Sequence, residues 1–237
     1  MPTSSLLSPA PTFIVDPIDG TTNFVHAFPY ISISLAFAHK MVPLVGVIYN
    51  PFTQQLYHAI KGKGAFLTSM EIPSSFPKDG EAVQAKYVSR KLPLRQPAPP
   101  LRGLSTTLAA VEWGNERSGP NWEAKTKTFS ALAGEDGGMV HSLRSLGSAA
   151  LNACGVAAGV LDAYWEGGCW AWDIAAGWVV VTEAGGRVVG GNPGEEQVRV
   201  DARRYLVVRG GEGRDDLIKE FWGKLQGKVT YEGSGEL

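Results

Sequence analysis

Apolar and polar positions alternate with a period of two in the first third of the chain, and the period lengthens after it. Phe13-Ile14-Val15 is a short apolar run leading straight to two aspartates, and Ile31-Ser32-Ile33-Ser34-Leu35-Ala36-Phe37 alternates as a half-buried strand does. Val45 to Tyr49 and Gln55 to Ala59 flank Asn50-Pro51-Phe52-Thr53, a turn-forming set, and predict a hairpin. Together these stretches predict an antiparallel sheet. Residues 69–103 are proline-rich with little periodicity, which predicts a long surface excursion. From Leu104 onward, strand and helix patterns alternate. A strand is expected over Leu104 to Val111, and an amphipathic helix over Asn121 to Leu132. Leu146 to Leu161, rich in small residues, reads as a tightly packed helix, followed by a short strand at Asp162 to Trp165. A second buried helix, Trp172 to Ala184, is closed by Gly185-Gly186. Strands at Arg187 to Val189 and Tyr205 to Val208 and a helix at Asp215 to Leu225 complete the pattern. The implied fold class is layered α/β, one domain over residues 12–226, between a flexible Pro/Ser-rich tail (1–11) and a polar tail (227–237).

Composition narrows the partners. A length of 237 residues allows a sizeable core, and 44% hydrophobic with 19% charged residues is ordinary for a soluble globular chain. A formal net charge of −1 gives no general reason to expect nucleic-acid or membrane-surface binding. No stretch approaches the roughly 18 apolar residues of a membrane span. Cys154 and Cys169 lack metal-ligand spacing and read as free thiols of a reducing compartment. Without a basic segment followed by an apolar one at its start, the sequence points to a cytoplasmic address.

The chemistry concentrates in Asp16-Pro17-Ile18-Asp19-Gly20-Thr21-Thr22-Asn23-Phe24. Pro17 stiffens the link between the two carboxylates, and Gly20 permits a sharp turn and close approach of backbone to a ligand. Thr21, Thr22 and Asn23 have short polar side chains suited to capping a following helix. Two carboxylates facing a set of backbone N–H groups make a place where Mg²⁺ and a phosphate can meet. Taken alone, Asp16 and Asp19 could equally be turn and capping residues, and Asp173 an N-cap, a ligand or both.

The nine-residue string resembles the first signature of the inositol monophosphatase family of Mg²⁺-dependent, lithium-sensitive phosphatases. Trp172-Asp173-Ile174-Ala175-Ala176-Gly177, continuing to Glu183-Ala184-Gly185-Gly186, resembles the second, and Lys61 to Phe66 and Gly147 to Asn152 resemble intervening segments. The resemblance implies an α-β-α-β-α sandwich and hydrolysis of inositol monophosphate with two or three Mg²⁺ ions. It implies that Asp16 bridges two metals, that the Ile18 carbonyl joins one, and that Asp19 and Asp173 complete the other. Thr21 would position and help deprotonate the attacking water, so Thr21, Asp16 and Asp19 carry catalysis. Gly20, Thr21 and Thr22 would hold phosphate oxygens at a helix start. Gly147, Ser148, Ala149, Glu166 and Asp173 would contact substrate, and Gly167-Gly168 would form a mobile loop over the site. The resemblance also allows a homodimer.

The family places a helical segment ahead of the first signature, ending in a metal-binding glutamate. Residues 1–12 are Pro/Ser-rich and hold no acidic residue, so the first helical layer and one metal ligand are expected to be incomplete. Two alternatives accompany the phosphatase expectation: a catalytically impaired relative that binds phosphorylated small molecules, and a related phosphatase acting on another small phosphate ester.

Overall fold

The structure is a computed structural model that describes residues 7–71 and 86–231. The alternating N-terminal third builds a six-stranded antiparallel sheet in sequence order: β1 (Thr12–Asp19), β2 (Ser32–His39), β3 (Val42–Asn50), β4 (Gln55–Ile60), β5 (Gly64–Met70) and β6 (Tyr87–Lys91). A single turn of helix, α1 (Thr21–Val25), joins β1 to β2. The expected hairpin is β3–β4, in register from Val45↔Ile60 to Asn50↔Gln55.

A second sheet has the order β10-β11-β9-β7-β8, with β7 (Leu108–Val111), β8 (Ser142–Arg144), β9 (Ala163–Gly167), β10 (Arg187–Gly190) and β11 (Arg204–Val208). β7 runs parallel to β8 and β9, whereas β11 is antiparallel to β9 and β10. Two helices made largely of small and β-branched residues, α3 (Ala149–Ala158) and α4 (Ala171–Glu183), lie between the sheets and pack on each other in one core. On the far face of the second sheet, α2 (Pro120–Ala133) and α5 (Arg214–Trp222) close a second core around Trp165, Leu206, Phe221 and Trp222. The layers are therefore sheet, helix pair, sheet, helix pair, the layered α/β class expected from the sequence.

Three differences from the sequence pattern have physical causes. β2 forms where alternation predicts it, yet its buried face is the small one: Ser32, Ser34, Ala36 and Ala38 pack inward. Ile33 and Leu35 are exposed, as are Phe13 and Val15 on β1, Phe13 at 78%. Small side chains let α4 lie close on the sheet, and apolarity alone could not assign the face. The strand expected from Leu104 begins at Leu108, because Leu104–Thr106 is a 3₁₀ turn in which the Thr106 and Thr107 hydroxyls donate to the Gly103 carbonyl (3.1 and 2.9 Å). The helix expected from Leu146 to Leu161 is trimmed at both ends, by Ser148 accepting from the Leu151 N–H (3.2 Å) and by Gly159 in the left-handed region.

The proline-rich excursion contains β6, paired to β5 from Phe66↔Lys91 to Met70↔Tyr87, while residues 72–85 lie outside the described residues, as do 1–6 and 232–237. Leu7 is buried in the first core, and residues 229–231, expected as polar tail, are held by hydrogen bonds.

Candidate active site

β1 reaches the site through a bulge. Asp16 pairs with Ser34 and Asp19 with Ser32, so three steps along β1 face two along β2. Pro17, with no N–H to offer the ladder, sits inside that irregularity. The Ile18 N–H turns back onto the Asp16 carboxylate (3.0 Å). Gly20 follows with φ 88°, a left-handed value that admits the chain into α1.

Asp173 comes from the first turn of α4, where its carboxylate accepts the Trp170 N–H (2.6 Å) and secures the helix start. Carboxylate oxygens of Asp16, Asp19 and Asp173 lie within 4.8 Å of one another. Three such groups at one place repel unless protons or cations neutralise them. Burial pushes the Asp19 carboxyl up to about 6, partly opposed by the Ser148 hydroxyl and reinforced by the charge of Asp16. Burial likewise lifts Asp173 to about 8 against the Trp170 N–H bond, with Asp19 and Glu166 adding to the rise. An all-oxygen donor set under this strain of charge fits a hard divalent cation such as Mg²⁺.

Asp19 is held from behind. Its Oδ2 accepts from the Ser148 hydroxyl, from the Ser32 hydroxyl (3.2 Å) and from the Ala150 N–H (3.1 Å). Ser148 is positioned in turn by a buried carboxylate that sequence reasoning missed. Glu112, immediately after β7, accepts from the Ser145 hydroxyl (2.9 Å), the Leu146 and Gly147 N–H groups (2.8 and 2.9 Å) and the Asn152 amide (2.8 Å). A glutamate closing the apolar run Leu108 to Val111 was the available signal. Asn23, expected to cap α1, instead donates to the Tyr30 and Leu146 carbonyls (2.8 and 2.7 Å) and latches the α1 turn to the loop before α3. No side chain caps α1, whose N-cap is Gly20 itself.

These elements surround a cavity of about 960 Å³. Gly20, Thr21, Thr22, Gly147, Ser148, Ala149, Glu166 and Asp173 all line it with Asp19, from β1, α1, α3, β9 and α4; Asp16 and Ile18 are not part of the lining, and Asp16 joins the site through its carboxylate beside Asp19 and Asp173. Glu166 lies on the same face of β9 as Tyr164 and takes a hydrogen bond from its hydroxyl. Burial raises the Glu166 carboxyl to about 8, with the charge of Glu112 adding and Tyr164 and Lys125 opposing. Gly167 and Gly168, expected to be a mobile loop, are tied down. The Gly168 N–H donates to the Arg203 carbonyl (2.7 Å), the Gly168 carbonyl accepts from the Arg203 guanidinium (3.1 Å), and the Gly167 carbonyl accepts from Lys125 (2.8 Å).

Glu183, at the end of the second signature, lies away from this cavity chemistry. Its two carboxylate oxygens accept the Gly62 and Gly64 N–H groups (2.7 Å each) and join α4 to the β4–β5 turn. Cys154 and Cys169 are both buried and unbonded to each other. Among the described residues no helix is long and apolar enough to cross a membrane.

A sequence profile described as the Inositol monophosphatase family matches residues 2–226. The chain is 47% identical over 227 residues to "Inositol monophosphatase 2" of Saccharomyces cerevisiae, covering 93% of this chain and 70% of that protein. It is 36% identical over 255 residues to "Protein qutG" of Emericella nidulans, covering 96% of this chain and 71% of that one. Among solved structures, "Mycobacterium tuberculosis SuhB" superposes with a TM-score of 0.68 at 27% identity, covering 90% of this chain and 72% of the other. A profile match over nearly the whole chain, a relative at this identity and an acidic triad placed where the signatures put it lead to one assignment: the chain belongs to the inositol monophosphatase family of phosphoric monoester hydrolases.

Proposed function

We propose that the chain is a Mg²⁺-dependent phosphomonoesterase that hydrolyses inositol monophosphate to inositol and phosphate. The observation that carries this reading is the gathering of Asp16, Asp19 and Asp173 carboxylate oxygens within 4.8 Å of one another, with Asp19 and Asp173 lining a cavity shared with the Thr21–Thr22 turn and Glu166. Two or three Mg²⁺ ions bound there would neutralise the phosphate and acidify a water molecule. Asp16, Asp19 and Asp173, with the Ile18 carbonyl, are the residues that would hold them. Thr21, whose hydroxyl can accept a hydrogen bond from water, would orient the attacking water. The backbone of Gly20, Thr21 and Thr22 receives phosphate oxygens, and the start of α3 (Gly147, Ser148, Ala149) shapes the pocket beside them. Glu166 accepts hydrogen bonds from substrate hydroxyls. Ser148 and Glu112 keep Asp19 aimed, so that its free oxygen faces the cation. A cytoplasmic location belongs to the same proposal and is supported by the two buried free thiols.

The test is phosphate release from inositol 1-phosphate with Mg²⁺ titrated from zero to high millimolar. Turnover that saturates with Mg²⁺ and disappears in Asp19→Asn is expected. A folded protein that releases no phosphate at any Mg²⁺ concentration would contradict the reading.

A further inference from the structure

The wall of the cavity beyond Glu166 is built by the end of the described chain. After α5 the backbone turns back, with the Gln226 N–H donating to the Thr128 hydroxyl on α2 (2.9 Å). Two asparagines then staple the chain down by paired backbone bonds. Asn192 accepts from the Val229 N–H (2.9 Å) and donates to its carbonyl (3.0 Å); Asn121 does the same to Thr230 (2.9 and 2.8 Å). Each is a side-chain amide imitating a strand partner, and Val229 is fully buried between them. The strap thus delivers Tyr231 to the cavity, where its hydroxyl donates to Glu116 (3.0 Å) and its ring lies 5.5 Å from the Lys125 ammonium.

The residues under that ring are shaped to receive it. A Cβ at Gly167 would come within 2.8 Å of the Tyr231 ring, and one at Gly168, where φ is 111°, within 3.3 Å. Lys125 holds the Gly167 carbonyl from below (2.8 Å) and the Trp113 carbonyl beside it (3.2 Å). Gly167 directly follows Glu166, so the ring packs against the very backbone that carries the hydroxyl-accepting carboxylate.

We propose that Tyr231, presented by the stapled strap Val229–Tyr231, is a specificity-determining residue that narrows the cavity and favours a compact phosphorylated polyol over bulkier monophosphates. The inference rests on the phosphatase reading above and deepens it by assigning the wall against which the organic part of the substrate lies. The hydrogen bonds that hold Asp19 and Asp173 come from Ser32, Ser148, Ala150 and Trp170, and none comes from Tyr231. Removing the ring therefore loosens the fit of the polyol and opens room for a larger group, while the reacting atoms keep their surroundings.

The experiment compares two esters, inositol 1-phosphate and adenosine 2′-monophosphate, on the parent, Tyr231→Ala and Tyr231→Phe, all retaining Val229 and both staples. Tyr231→Ala is expected to raise KM for inositol 1-phosphate about tenfold with kcat within about threefold. It is also expected to raise the ratio of kcat/KM for the nucleotide over the polyol at least about tenfold. Tyr231→Phe keeps the ring and should keep the parent ratio within about twofold. A purely structural ring would lower both esters by one factor, so a Tyr231→Ala ratio equal to the parent's overturns the proposal while leaving the phosphatase reading intact. A folded parent that turns over neither ester with Mg²⁺ overturns both.

Discussion

The two ends of the cavity are built in opposite ways. At one end, Asp16, Asp19 and Asp173 crowd three carboxylates together, with Gly20 to Thr22 beside them. At the other, Lys125, Arg203 and Tyr231 form a cationic and aromatic wall, with the Arg203 guanidinium stacked 3.6 Å from the Trp170 ring. The acidic end is made mostly by one continuous string and is electrostatically unsatisfied, with the Asp19 and Asp173 carboxyls lifted by burial and neighbouring charge. The cationic end is drawn from three distant segments, and the hydrogen bonds of Lys125 are answered by carbonyls and by Glu116 (3.5 Å). The contrast teaches that charge strain marks where a ligand is wanted, whereas a satisfied buried charge marks where a shape is being held.

That contrast breaks most visibly at Asp19. Asp19→Asn should cut Mg²⁺-dependent phosphate release by at least about 1,000-fold, because a cation ligand is lost. The same change should raise the melting temperature in EDTA. The amide oxygen can keep the donors from Ser148, Ser32 and Ala150, while a carboxyl raised from 3.8 to about 6 no longer has to ionise. Activity and stability therefore move in opposite directions at the acidic end, and calorimetry beside an activity assay reads both.

At the cationic end they should fall together. Lys125→Met leaves the buried Gly167 and Trp113 carbonyls without their donor, at a cost of about 1–3 kcal/mol in urea unfolding. Its effect on the rate should appear in KM more than in kcat, since the metal end is untouched.

The strain also predicts a pH signature. Asp19, Asp173 and Glu166 rise from 3.8, 3.8 and 4.5 to about 6, 8 and 8 on folding. A folded value above the unfolded one means that protonation favours the fold. The stabilising contribution is complete below about pH 4 and is lost as pH climbs through about 6 and then about 8. In EDTA the melting temperature should drop by about 5 °C or more between pH 5.5 and 8.5, and saturating Mg²⁺ should flatten the slope. A flat profile in EDTA would remove the strain from the account. The smallest effect belongs to a site outside the cavity: Glu183→Gln loses one of the acceptors for Gly62 and Gly64, costing about 1 kcal/mol in unfolding with turnover unchanged.

The same contrast explains what the sequence could reveal. Asp16, Asp19 and the turn after them are neighbours in the chain, so their convergence follows from local geometry and could be read directly. Asp173 needed a second signature, and the structure brings it to the first. Tyr231, Lys125 and Glu112 meet the site only through β7, α2 and the strap, and no local pattern records such contacts. Tyr231 looked like part of a polar tail because Val229, the apolar anchor before it, is a single residue among polar ones. Element type was legible in β3–β4 and α4, where periodicity and caps agree. The buried face of β2 was not, because Ser32 and Ser34 are wanted there for contacts with Asp19 and with the Trp172 carbonyl (3.2 and 3.1 Å), a demand set by the site and not by hydrophobicity. β6 and β8 were missed since short edge strands carry weak alternation, and β5, an interior strand, was missed because the apolar Phe66 stands between its buried residues Ala65 and Leu67 and hides the alternation.

The central claim is that three crowded carboxylates hold a divalent cation in place of protons. Isothermal titration of Mg²⁺ into the chain at pH 7, in two buffers of different ionisation enthalpy, tests it most directly. Binding should release about one proton per chain, chiefly from the carboxyl raised to about 8 at Asp173, and Asp173→Asn should lose both the binding and the proton. Binding that releases no proton, or that survives unchanged in Asp173→Asn, would contradict the account.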